Sequence, residues 1–171
     1  MLELILGGAR SGKSRYAEQR AHGDDRVYIA TATAGDGEMA ERIARHRLDR
    51  GPHWRTVEAP ITLAPVLRAQ TAPGRFVLVD CLTLWLTNLL LSEDASAFAR
   101  ERAALLQWLP EHQGHLVFVS NEVGQGVVPA DALSRRFVDE SGRLHQELAQ
   151  HCDRVVFVTA GLPHALKDQS A

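Results

Sequence analysis

The segment Gly7-Gly8-Ala9-Arg10-Ser11-Gly12-Lys13-Ser14 gathers several kinds of phosphate chemistry into one short run. Glycines let backbone N–H groups close around phosphate oxygens with no Cβ in the way. A helix opening near Gly12 turns its positive dipole end toward the same oxygens. Lys13 supplies a point charge for β- and γ-phosphates, and the Ser14 hydroxyl suits Mg²⁺. The spacing fits G-x-x-x-x-G-K-[ST] between an apolar run, Leu2-Glu3-Leu4-Ile5-Leu6, and a helical pattern, the setting this motif requires. Of the 19 Lys and Arg residues only Lys13 and Lys167 are lysines, so the placement of Lys13 carries weight. Asp80 follows the apolar run Phe76-Val77-Leu78-Val79. An acid there orders Mg²⁺, usually through water. The same residue type also caps helices; beside a phosphate loop we read the metal role.

A second group surrounds His46, with Arg42, Arg45, Arg47 and Arg50 close by. On a helix over 37–49 that continues slightly further, Arg42, His46 and Arg50 share a face. An imidazole in that company can attack a nucleotide α-phosphate while guanidiniums stabilise the charge. Asp49 stands where it can orient the ring. Spacing alone favours a plainer reading: a solvated helix laced by Glu38–Arg42 and Glu41–Arg45 pairs. His53 competes from the Gly51-Pro52 loop, and His145 and His151 fall on the last long helix, where structural or solvated roles fit. His22, His112, His115 and His164 lie near element ends without a constellation.

These residues need a scaffold. Leu2–Leu6, Arg26–Ala30, Phe76–Val79, Leu116–Val119 and Val155–Val158 read as buried strands. Helical patterns fall at about 12–22, 37–49, 62–70, 82–91, 96–109 and 131–151. The stretch Arg50 to Pro65 is punctuated by proline and glycine, with a short strand at Trp54–Glu58. The alternation predicts an α/β fold with a mostly parallel central sheet flanked by helices. Ligands of such sheets bind at the carboxyl ends of the strands. Those ends carry Gly7 to Ser14, Thr31 to Thr33, Asp80, Asn121-Glu122 and Gly161. Trp85 and Tyr28 are read as core residues.

With 171 residues and 18.8 kDa, a single nucleotide-binding domain over 1–171 is expected. Hydrophobic residues at 45% and charged residues at 23% argue against disorder. A net charge of −2 and a pI near 6.4 give no basic field to recruit nucleic acid or anionic lipid. Cys81 and Cys152 suggest neither a disulfide framework nor a zinc site. Leu2–Leu6 is too short for a signal peptide, and Leu82–Leu91 falls short of the ~20 residues of a membrane span. A cytoplasmic location is expected.

The chain resembles the bifunctional adenosylcobinamide kinase/adenosylcobinamide-phosphate guanylyltransferase family of cobalamin biosynthesis. The resemblance rests on Gly7 to Glu18, Tyr28-Ile29-Ala30-Thr31, Glu38 to Ile43 before His46, Trp54-Arg55-Thr56-Val57-Glu58, Val79 to Leu90, Ser120 to Pro129, and Ala160-Gly161-Leu162-Pro163. The Asn-Glu-Val-Gly-x-Gly-Val-Val-Pro run and the stretch from His46 to Glu58 are its most specific parts. The resemblance implies a RecA-like sheet, a homotrimer and two reactions. A nucleoside triphosphate phosphorylates the aminopropanol hydroxyl of adenosylcobinamide. GTP then transfers GMP to adenosylcobinamide-phosphate through a guanylyl-histidine, here at His46, releasing pyrophosphate. Implied nucleotide contacts are Gly7, Gly8, Ala9, Arg10, Ser11, Gly12, Lys13, Ser14, Thr31, Ala32, Thr33, Arg47, Leu48, Asp49, Arg50, Glu58 and Asp80. GTP and ATP are the implied nucleotides, with Mg²⁺ at Ser14 and Asp80. Where the family often has arginine and asparagine, this chain carries Val138 and His145. Two other readings compete: a small-molecule kinase without guanylyltransfer, and a RecA-like nucleotide-dependent switch.

Overall fold

The computed structural model describes residues 1–33 and 53–169. Strands β1 (Leu2–Gly7), β2 (Arg26–Ala30), β3 (Trp54–Glu58), β4 (Phe76–Asp80), β5 (His115–Asn121), β6 (Arg154–Thr159) and β7 (Leu162–Asp168) form one sheet in the order β3-β2-β4-β5-β1-β6-β7. All pairings are parallel except β6 with β7. The helices are α1 (Lys13–Gln19), α2 (Leu63–Gln70), α3 (Leu82–Leu90), α4 (Ala97–Trp108) and α5 (Ala132–His151). The expected helix over 37–49, with Arg42, Arg45, His46, Arg47, Leu48 and Asp49, lies outside the described residues, as does Arg50 after it.

Two apolar layers sandwich the sheet, because alternate strand residues face opposite sides. Leu4, Leu6, Leu116 and Phe118 meet residues of α2 through α5, such as Leu67, Trp85, Leu105 and Leu148. Ile5, Leu78, Val117 and Val119 meet Ala17 of α1 on the other side. This two-sided burial explains the continuous apolar runs of β4 and β5. Trp85 is fully buried and its Nε1–H donates to the Ile61 carbonyl at 2.7 Å. Tyr28 is buried too, so both aromatics are core as expected.

Strand β7 does not announce itself. Leu162 to Asp168 lacks alternation, contains Pro163 and stays largely exposed. It survives as an edge strand, where proline is tolerated. The two-residue link before it explains its direction: Ala160 and Gly161 both have positive φ, 52° and 79°, as a tight hairpin turn demands.

Candidate active site

The site is built where β1 turns into α1. At Gly7 a Cβ would lie 2.5 Å from both the Ser11 Oγ and the Val158 carbonyl, so only glycine lets β1 hug β6 while the loop folds over. Gly12 sits at φ 95° as the N-cap of α1, a backbone state that glycine adopts freely. The Ser11 N–H donates to the Gly8 carbonyl at 3.3 Å, and the Gly161 N–H donates to the Ser11 carbonyl at 2.8 Å. The β6–β7 turn thus clamps the loop from outside.

Lys13 opens α1 and is buried, its Nζ donating to the Gly8 carbonyl at 3.2 Å. The ammonium folds back across its own loop. Ser14 follows in the first turn of α1. The Ser11 Oγ is buried with no partner among the described residues. Ala9 and Arg10 are exposed on the outside of the loop, Arg10 with φ 55°.

Asp80 ends β4 on the face that carries Phe76 and Leu78, which is the α1 face. It does not cap the next helix: the N-cap of α3 is Cys81, and no side chain caps it. The Asp80 carboxylate is therefore left for other work. Two hard oxygen donors, the Ser14 hydroxyl and the Asp80 carboxylate, flank the loop on one side of the sheet, and that donor set fits Mg²⁺. Among the described residues no cluster of three or more His, Cys, Asp or Glu side chains forms a separate metal site.

The end of β2 has another character. Thr31 is fully buried; its Oγ1 donates to the Cys81 carbonyl at 2.7 Å and accepts the Cys81 N–H at 2.8 Å. Its hydroxyl ties β2 to the turn after Asp80. Ala32 and Thr33 follow toward the surface, and Glu58 ends the neighbouring strand β3, paired with Ala30. The structure brings Gly7 to Ser14, Thr31 to Thr33, Glu58 and Asp80 to one end of the sheet. It describes neither His46 nor Arg47 to Arg50.

Sequence reading gave no role to what fills the gap between loop and Asp80. Strand β5 lies between β1 and β4 and ends in Ser120, Asn121 and Glu122. The Asn121 N–H donates to the Thr83 Oγ1 at 2.7 Å, and the Glu122 N–H donates to the Gly7 carbonyl at 3.0 Å. The Glu122 Oε1 accepts the Gly124 N–H at 2.6 Å, and its Oε2 lies 3.7 Å from the His145 Nδ1. The sequence already placed both residues at the ligand end of a parallel sheet; what it left open was their role.

Buried thiols complete the picture. Burial pushes the Cys81 thiol up to about 11 and the Cys152 thiol to about 12, so neither is a thiolate at neutral pH. Both are free.

Comparisons with known proteins place the chain in a family. Residues 3–166 match the family model described as cobinamide kinase/cobinamide phosphate guanyltransferase. The chain is 58% identical to the bifunctional adenosylcobalamin biosynthesis protein CobP of Pseudomonas aeruginosa, covering 99% of each chain. It is 38% identical to the bifunctional adenosylcobalamin biosynthesis protein CobU of Escherichia coli, covering 98% of this chain and all of that one. The fold is similar to the P4 protein of bacteriophage phi6 in complex with ADP, at a TM-score of 0.50 and 15% identity, covering 95% of this chain and 53% of that one. A phosphate-binding loop on a mostly parallel sheet and a family match over nearly the whole chain lead to one conclusion: this protein belongs to the cobinamide kinase/cobinamide phosphate guanylyltransferase family, and is a kinase and nucleotidyltransferase of adenosylcobalamin biosynthesis.

Proposed function

We propose that the loop Gly7 to Ser14 holds the triphosphate in both reactions and that His46 carries GMP from GTP to adenosylcobinamide-phosphate. The observation that carries the reading is the folded strand–loop–helix unit with Lys13 buried across it. Backbone N–H groups and the Lys13 ammonium spread over the phosphates as charge shifts toward the leaving group. Ser14 and Asp80 would hold Mg²⁺, which would supply further charge neutralisation on the phosphates. Ala32, Thr33, Glu58 and Arg47 to Arg50 are nucleotide contacts in this reading, supported by the family match that spans them, while Thr31, fully buried and bonded to Cys81, holds the strand end in place.

In the kinase step the aminopropanol hydroxyl oxygen of adenosylcobinamide attacks the γ-phosphorus of ATP or GTP, and the nucleoside diphosphate leaves. In the guanylyl step a ring nitrogen of His46 attacks the α-phosphorus of GTP; the N–P bond forms and pyrophosphate leaves. The phosphate of adenosylcobinamide-phosphate then attacks the same phosphorus and breaks the N–P bond, giving adenosylcobinamide-GDP. A neutral imidazole is a competent nucleophile at neutral pH and its phosphoramidate a reactive donor. We place the enzyme in the cytoplasm as a homotrimer. The family resemblance supports the trimer. The free cysteines fit a reducing compartment, and among the described residues no helix is long and apolar enough to cross a membrane.

Intact-protein mass after incubation with GTP and Mg²⁺ tests the covalent route. A GMP-sized gain in the parent, absent from His46→Ala and labile to acid but stable to alkali, supports it. A gain in both moves the nucleophile elsewhere, with His53 next. No gain in either, with nucleotide still bound, favours a kinase without guanylyltransfer.

A further inference from the structure

Three strands end side by side at the site: β1 with the phosphate loop, β5 with Asn121 and β4 with Asp80. Alternation places their last residues. On β5, Val117 and Val119 face α1, and Asn121 is the next residue on that face. Gly7 follows Ile5 on the same face of β1, and Asp80 follows Leu78 on that of β4. Asn121 pairs with Gly7 across one strand gap, and Asp80 pairs with Val119, two residues before Asn121, across the other. The carboxamide therefore stands between the phosphate loop and the Asp80 carboxylate. Its Oδ1 is buried and has no hydrogen-bond partner among the described residues. A buried carbonyl oxygen left without a donor is costly, and at a ligand site it points to a donor that arrives with the ligand.

From this row of residues we infer that Asn121 touches the reacting groups in the kinase step, accepting the substrate hydroxyl at Oδ1 and donating from Nδ2 to a γ-phosphoryl oxygen. The new O–P bond forms as the bond from Pγ to the nucleoside diphosphate breaks, and that product keeps the electron pair. The hydroxyl proton passes to a transferred phosphoryl oxygen and on to water; Asn121 neither gains nor loses one. The amide acts by aligning nucleophile and phosphorus.

The backbone around Asn121 is held from both sides. Its N–H is fixed by the Thr83 Oγ1, and the following N–H by the Gly7 carbonyl. Thr83 Oγ1 lies 3.2 Å from Ser120 Oγ, which lies 2.8 Å from His145 Nε2 on α5. Thr83, Ser120 and His145 are all buried. They are positioning residues, rigid because each sits in a packed core and is bonded to the next.

The inference rests on the reading of Gly7 to Ser14 as the triphosphate site, and the test separates the two. Kinase rates with adenosylcobinamide, nucleotide dissociation constants without acceptor, and thermal unfolding are measured for Asn121→Ala, Thr83→Val, Thr83→Ser and Lys13→Ala. Asn121→Ala is expected to lower kcat about 100-fold, in the range seen when one preorganised donor is removed. Its Tm and its affinity for a nucleoside diphosphate, which lacks the γ-phosphoryl group, stay at parental values, since no side-chain bond within the protein is lost. Thr83→Val lowers kcat and Thr83→Ser restores it. An Asn121→Ala kcat at the parental level overturns the proposal, as does a fall in kcat matched by a fall in nucleoside diphosphate affinity or Tm. If Lys13→Ala binds and phosphorylates as the parent does, the phosphate-loop reading fails and takes the proposal with it. If Lys13→Ala is inactive while Asn121→Ala is normal, only the Asn121 assignment fails.

Discussion

Gly7→Ala and Gly8→Ala are neighbouring changes of the same size with opposite expected outcomes. A Cβ at Gly7 would sit 2.5 Å from the Ser11 Oγ and 2.5 Å from the Val158 carbonyl. The serine can rotate, but the carbonyl belongs to the backbone of β6, which pairs with Gly7 itself. Relief requires β1 and β6 to part or the loop to lift. Forcing a methyl group into a packed region of this kind costs about 1–3 kcal/mol. A domain of this size shifts by about 2–4 °C per kcal/mol, so Gly7→Ala is expected to lower Tm by roughly 2–12 °C. A Cβ at Gly8 would meet nothing within 4 Å, so Gly8→Ala should leave the Tm of the free protein unchanged. The assay is thermal unfolding by circular dichroism, first without nucleotide and then with GTP and Mg²⁺. Lifting the loop also breaks the phosphate cradle, so Gly7→Ala should lose most of the nucleotide-induced gain in Tm. Equal Tm values for Gly7→Ala and the parent would refute the steric reasoning.

Two further expectations concern stability. Burial raises the Glu3 carboxyl, but hydrogen bonds from His115 at 2.6 Å and Arg20 at 2.9 Å outweigh it and hold the pKa below 4.5. Burial instead holds the His145 imidazole neutral, with its pKa below 6.5. Both groups stabilise fully above their unfolded-state values and lose that contribution as pH falls through the folded ones. Urea unfolding should therefore show stability declining below about pH 6.5 and falling further below about pH 4.5. His145→Asn should flatten the first decline, and Glu3→Gln the second at a cost of about 1–3 kcal/mol at neutral pH; unchanged pH profiles would count against both assignments. Trp85→Ala should cost about 3–5 kcal/mol in the same assay, because a fully buried ring and its bond to Ile61 are both lost; a loss under 1 kcal/mol would show that the core closes over the gap.

Much of this molecule is legible in local chemistry. The phosphate loop needs a strand before it, a helix after it and glycines within it, and all three requirements are written in consecutive residues. Five buried strands announce themselves by apolar runs, since burial on both faces leaves no room for polar alternation. Strand β7 is silent because an exposed edge makes no demand on side-chain pattern, and only its pairing with β6 makes it a strand. Asp80 is ambiguous between metal ligand and helix cap until the fold shows Cys81 in the capping position. Thr31 reads as a nucleotide contact at a strand end, yet its hydroxyl is spent within the protein on Cys81, fifty positions away. The place of Asn121 depends on strand order: β5 falls between β1 and β4 although it follows both in the chain. Spacing along a chain records what neighbours in sequence must do. Which residues share the face above a bound phosphate is decided by register between strands far apart in sequence, and that is a property of the folded sheet alone.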